Sequence, residues 1–309
     1  MIQELFFAVI SPLFILSVAL SAFKRIELIE QYMKHLVFVS VVFSIISIIQ
    51  IILGTSEVHG YARATGTMKN PNLLAIFLVF SIPCILYCAE KKIINRKKYF
   101  MTLGVVVLGI LSTVSKKGAA TMLVSFFLYF FLKRQYQKII FILFVSFFLG
   151  MLLSGYAVFS SRFSLDAITY EVEGKWNMTL VGVDLFLEKP ILGHGYKGYY
   201  ENFSRFFPHA STKKYDAHNE FITALANFGI IGIVLFLGIF LYPLNYARKI
   251  IRKSKIEGVS EVKVDMAVIG VSTIIPFMIN AFYAGALFYQ TIAVFAYYAQ
   301  ASFVFVEDE

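Results

Sequence analysis

His218, Asn219 and Asn227 stand within ten residues of one another, where a long polar stretch runs into an apolar one. A histidine of near-neutral pKa can take a proton from a hydroxyl as a general base. Asp216 is suited to cap the helix that follows, and Asn227 falls two turns further into that helix. Spacing alone equally fits an interface histidine bonded to a backbone carbonyl. His194 lies in Gly193-His194-Gly195-Tyr196-Lys197-Gly198. Three glycines in six residues make either a turn whose backbone can approach a ligand or an inert turn. No strand precedes it, so it is not a dinucleotide fingerprint. His194, His209 and His218 are separated by 15 and 9 residues, which matches no compact metal motif. No metal and no cofactor is expected, and no serine sits in a nucleophile elbow.

Cationic groups form the second set. Arg63 lies in the segment Tyr61–Asn72, with Gly66 close behind. A guanidinium fork matches phosphate oxygens, so this is a candidate anion loop. Asn70 suits a helix cap and Pro71 the first helical turn. Lys116 and Lys117 occupy the break Ser115-Lys116-Lys117-Gly118 between two short apolar runs. The helix start there adds free N–H groups and a positive dipole end. Two readings stay open: a phosphate seat, or a capped hairpin with snorkelling lysines. Arg205 lies in the long polar segment before His218.

Helices in a membrane must position these groups. Charged residues make up 15% of the 309 residues and hydrophobic ones 59%, against about 25% charged in soluble domains. The expectation is an all-α, polytopic transmembrane helix bundle. About nine apolar runs fit spans, near 5–22, 35–53, 71–88, 100–114, 118–132, 139–157, 221–243, 264–283 and 287–306. The fourth and fifth are short and flank the Ser115–Gly118 break. The expected division is 1–157 as N-terminal transmembrane helices, 158–220 as one long extracytoplasmic loop, and 221–309 as C-terminal helices. Seventeen of the 28 Lys and Arg residues fall in one alternating set of loops, which makes that set cytoplasmic. The segments holding Arg63, Lys116 and Arg205 then lie outside, on the side where basic residues are normally avoided, and Arg63, Lys116 and His218 are expected to converge on one outer cavity.

The net charge of +9 is membrane anchoring in this reading, so no nucleic-acid partner is expected. No ionisable residue falls well inside a run, which argues against an ion-coupled pump. Cys84 and Cys88 share one apolar run and read as small hydrophobes. No cleavable signal peptide is evident.

Taken in order, these motifs resemble the O-antigen ligase and O-antigen polymerase superfamily. The resemblance rests on Arg63-x-x-Gly66 entering Asn70-Pro71-Asn72, and on a Ser-Lys-x-Gly break at Ser115–Gly118. It continues through Trp176, Lys189-Pro190-Ile191-Leu192-Gly193-His194-Gly195, and Ala217-His218-Asn219 leading into Gly229–Gly232. It covers about residues 60–245 of the sequence. It implies a GT-C-like membrane glycosyltransferase of the bacterial inner (cytoplasmic) membrane, with its site facing the periplasm or exterior. The implied donor is an undecaprenyl-pyrophosphate-linked glycan. The implied acceptor is a hydroxyl of lipid A-core or of another carrier-linked glycan, and membrane lipids surround the protein. The resemblance makes His218 the base and Arg63 a pyrophosphate ligand. Lys116 stands where the family often has arginine, and Asn227 where an acidic residue is common. Family members usually have more spans, and the shortfall is expected on the N-terminal side.

The implied reaction inverts the sugar without a metal. Arg63, Lys116 and Arg205 hold the pyrophosphate, and His218 takes the acceptor proton, with Asn219, Asn227, Asp216 and His194 in support. Tyr199, Tyr200, Phe203 and Phe206 offer either a sugar platform or an interfacial belt. The rival readings are a transporter or flippase of lipid-linked oligosaccharide, and a non-catalytic member of an export complex.

Overall fold

The computed structural model describes residues 21, 23–58, 61–68, 70–154, 164–206, 217–254, 258–282 and 291–306. Among these residues the chain is mostly helical, with ten α-helices. They are α1 (Ile26–Ile52), α2 (Pro71–Glu90), α3 (Arg96–Ser112), α4 (Lys116–Leu132), α5 (Tyr136–Ser154), α6 (Leu165–Glu188), α7 (Gly198–Phe206), α8 (Glu220–Lys253), α9 (Glu261–Phe282) and α10 (Thr291–Ser302). A short 3₁₀ turn, Phe303–Phe305, follows, and a two-stranded antiparallel ribbon, β1 (Glu57–Val58) and β2 (Tyr61–Ala62), joins α1 to α2. Four helices, α1, α2, α8 and α9, are long and apolar enough to cross a membrane. The run expected near 5–22 lies outside the described residues, apart from Ser21.

The segment expected to be a long loop holds two helices among its described residues, joined by a turn at 189–197. Its polarity suggested a loop, but α6 and α7 run through it. The physical reason is a set of apolar positions at helical spacing. Met178, Val181 and Leu185 of α6 pack with Tyr199 and Phe203 of α7. Tyr199 and Phe203 are therefore core residues rather than a sugar platform, and the Tyr199 hydroxyl donates to the Met178 carbonyl at 2.8 Å.

The chain forms two compact units. One holds residues 1–160, 243–277 and 291–309; the other holds 161–242 and 278–290. In the first, α2 is the central helix, buried along nearly its whole length. The proline in α9 shows how an apolar interior handles a broken ladder. Pro276 has no N–H to offer the carbonyl four residues earlier, and the Ser125 hydroxyl of α4 donates to that Ser272 carbonyl at 2.9 Å. At one end of this unit the Asp265 carboxylate is buried and sits between two ammonium groups, Lys133 at the end of α4 and Lys91 at 2.9 Å after α2. A buried charge persists only when paired in this way.

Candidate functional site

The first candidate centre lies in the larger unit, where α3 ends and α4 begins. The last carbonyls of a helix have no partner within it, and here the loop after β2 supplies partners. The Ala64 N–H donates to the Ser112 carbonyl at 3.0 Å. Arg63, 3% exposed, donates through Nε to the Thr113 carbonyl at 3.0 Å, which sets a cation at the negative end of α3. Its Nη2 donates to Asn72 Oδ1 at 3.1 Å, and the same oxygen accepts from Ser115 Oγ at 2.8 Å.

Ser115 caps α4, accepting from the Gly118 N–H at 3.1 Å. Lys116 is the first residue of α4 and half-buried. The turn between the helices passes through Val114 at φ 46°, a left-handed conformation that is a true outlier for a β-branched residue. Such strain is held by its surroundings and clusters at functional sites. Gly118 lets α4 approach α2, because a Cβ there would meet Ala75 Cβ at 2.4 Å. Asn70 caps α2 as expected, accepting from the Asn72 and Leu73 N–H groups, and Pro71 opens that helix.

Two residues of this centre have no assigned role in the sequence reading. Gln50 of α1 clasps the loop behind Arg63. Its Oε1 accepts from the Gly66 N–H at 2.8 Å and the Thr65 N–H at 3.1 Å, and its Nε2 donates to the Gly66 carbonyl at 3.0 Å. The available signal is one polar residue within Ile48–Ile52. Asn72 is the other: it belongs to the Asn-Pro-Asn motif, yet its link to Arg63 and Ser115 is visible only in three dimensions.

The second centre lies in the smaller unit. The cap of α8 is Asn219, whose Oδ1 accepts from the Phe221 and Ile222 N–H groups at 3.0 and 3.2 Å. This corrects the expectation of Asp216, which itself lies outside the described residues, as does His209. The cap falls closer to the helix because α8 begins at Glu220. His218, half-buried between the buried Ala217 and Asn219, takes φ 49°. That left-handed conformation lets the chain turn sharply into the cap.

Nine residues into α8 the helix breaks, at Gly229 with φ 62° and ψ −156°. The break exposes backbone groups, and the glycine-dense turn satisfies them. The His194 N–H donates to the Ala226 carbonyl at 3.0 Å, the Gly195 N–H to the Asn227 carbonyl at 2.7 Å, and the Ile230 N–H to the Pro190 carbonyl at 2.8 Å. Glycine is required for the approach: a Cβ on Gly193 would lie 2.4 Å from the Asn227 carbonyl carbon. The backbone contact foreseen for this turn is thus made to α8. Asn227 completes the joint by accepting from the Tyr199 N–H at 2.7 Å.

His194 and Arg205 are both engaged within this unit. The His194 ring, through Nε2, bonds the Leu185 carbonyl at 2.9 Å and is shielded from solvent. The Arg205 fork grips the Glu188 carboxylate at 2.9 and 3.1 Å, and that hydrogen-bonded guanidinium holds the Glu188 carboxyl below the usual range. Among the expected site residues, the structure brings Arg63 and Lys116 to one helix junction, and groups His194, Asn219, Asn227, Arg205 and His218 within the other unit.

Residues 100–237 match the family model described as O-antigen ligase, and this supports the O-antigen ligase/polymerase superfamily as the chain's place. No curated protein matches the chain. The matched stretch includes Lys116, His194, Arg205, His218, Asn219 and Asn227, and leaves Arg63 outside. With four helices able to cross a membrane, it supports a membrane protein with an O-antigen ligase/polymerase-like function, a glycosyltransferase-like activity, and lipid-linked glycan and polysaccharide substrates in general.

Proposed function

We propose that this chain transfers a glycan from undecaprenyl pyrophosphate to an acceptor hydroxyl during cell-surface polysaccharide synthesis at the bacterial inner membrane, with its reactive groups facing the periplasm or exterior. The acceptor is lipid A-core or another carrier-linked glycan. One observation carries the reading. Within the stretch matched to O-antigen ligases, the single histidine next to the helix cap is held in a left-handed backbone, while its neighbour Asn219 does the capping.

In the reaction, the acceptor oxygen forms a bond to the anomeric carbon of the donor sugar. Its proton passes to the His218 imidazole. The bond from the anomeric carbon to the carrier phosphate oxygen breaks, and undecaprenyl pyrophosphate leaves with the electron pair. Attack from the opposite face inverts the anomeric centre. Arg63 and Lys116 offset the charge that grows on the leaving phosphate; Lys116 does so as a point charge rather than a fork. Because these side chains supply the neutralising charge, the reaction needs no divalent ion. Arg205 is assigned to holding α7 on α6 through Glu188. His194, Asn219 and Asn227 build the frame of the base.

The test is acceptor dependence. Purified protein is given a lipid-linked glycan, and free undecaprenyl pyrophosphate is measured with and without acceptor. The expected result is release, with matching product, only when acceptor is present. Movement of intact donor across a vesicle membrane with no release would make the chain a transporter and overturn the proposal.

A further inference from the structure

Helix α6 carries two apolar faces, and among the described residues only one of them packs against protein. Met178, Val181 and Leu185 face the core of their unit. On the other side Leu165, Ile168, Val172, Trp176, Leu180 and Leu187 are 37–82% exposed. Their spacing of three, four, four, four and seven residues confines them to an arc of roughly 120° at 100° per residue. Asp166, Glu173, Asn177 and Asp184 run along one flank of this arc, and Lys175 borders the other. An exposed apolar stripe that contains a tryptophan and has polar flanks fits a helix lying in the plane of a membrane surface, and the acidic flank means that the apolar area rather than attraction to anionic lipid must hold it there.

The stripe does not end with the helix. Ile191 and Leu192, just past α6, are also exposed. They belong to the turn whose Pro190 carbonyl accepts from the Ile230 N–H of α8 at 2.8 Å. Phe228, Ile230 and Ile231 of α8 are themselves exposed apolar residues on a helix able to cross a membrane. The outer face of α6 therefore continues, through this turn, into the surface of a membrane span. That continuity identifies its occupant. A patch of this size on a water-facing element is unusual, and an indole is a residue type favoured at the lipid headgroup level.

We infer that α6 lies along the membrane, with the Leu165–Leu187 stripe seated in the headgroup and upper acyl region of the bilayer and the Asp166–Asp184 flank in water. This inference is independent of the reaction proposed above. It fixes the height of the unit that holds His218, since α6, α7 and the start of α8 share one core through Leu185, Tyr199 and Ala226.

The chain contains a single tryptophan, Trp176, so its emission reports on this face. The full-length protein is reconstituted into phosphatidylcholine vesicles, with and without lipids brominated near the top of the acyl chain, and is titrated with iodide. The expected result is a blue-shifted emission, most of it lost in brominated vesicles and little of it to iodide. Emission of a hydrated indole, quenched by iodide and indifferent to bromine, overturns the inference. So does a blue-shifted emission that neither quencher reaches, because the stripe is then covered by protein. In a Trp176→Phe background, Asn177→Trp places the probe on the water flank and should be quenched by iodide; equal quenching by brominated lipid there would mean that α6 is not interfacial.

Discussion

The Arg63 centre and the His218 centre both stitch helix ends together, but they assign the work differently. In the first, the cation expected to act on phosphate is itself part of the stitching. Arg63 holds the Thr113 carbonyl and Asn72, so scaffold and chemistry share one side chain. In the second, the stitching is done by backbone groups of the Pro190–Gly195 turn, by Asn227 and by the Asn219 cap. A group that also holds the fold, as Arg63 does, cannot be removed without a structural cost.

This contrast ranks substitutions by the breadth of their effect. Arg63→Ala has the broadest effect, on stability and binding together, because it leaves a helix-end carbonyl and Asn72 without the guanidinium. It should lower stability by about 1–3 kcal/mol and abolish donor binding, as read by thermal unfolding and by retention of a labelled lipid-linked glycan. Arg63→Lys should recover part of the binding but not the stability. Unchanged unfolding in Arg63→Ala would break the contrast.

Gly229→Ala tests the frame of the second centre. Its φ and ψ fall in a region open almost only to glycine, and the new Cβ would meet the Ile191 carbonyl oxygen at 2.3 Å. The cost should be about 1–3 kcal/mol, seen as earlier unfolding and faster proteolysis between α6 and α7. Asn219→Ala removes only the cap and should cost about 1 kcal/mol, with Asn219→Asp restoring most of it. At the small end, chelator should change neither stability nor transfer rate. Loss of activity that one metal restores would refute charge neutralisation by side chains alone.

Local chemistry was legible in the sequence, and pairing at a distance was not. Asn70-Pro71 and the Ser115–Gly118 break each announce a helix start, and the structure puts caps at Asn70 and Ser115. The glycines of 193–198 announce a close approach, but not to what, because the partner on α8 lies some thirty residues further along the chain. Helices α6 and α7, within the 158–220 loop, are hard to see in the sequence for a related reason. The segment's charges and glycines signal loop, while the inward face Met178–Val181–Leu185 finds its partners further along the chain, in α7, Ala217 and the first turns of α8. Gln50 carries no local signal, because a lone amide in an apolar run has no local partner; its partners are backbone groups after β2.

The most direct test of the account measures donor affinity, unfolding temperature and transfer rate on one preparation of His218→Ala beside the wild type. A general base on an independent frame predicts a fall in transfer of about 10²–10⁴-fold, with donor affinity and unfolding temperature unchanged. Transfer near the wild-type rate would contradict the assignment of His218 as the base. A parallel loss of all three quantities would contradict the separation of base from frame.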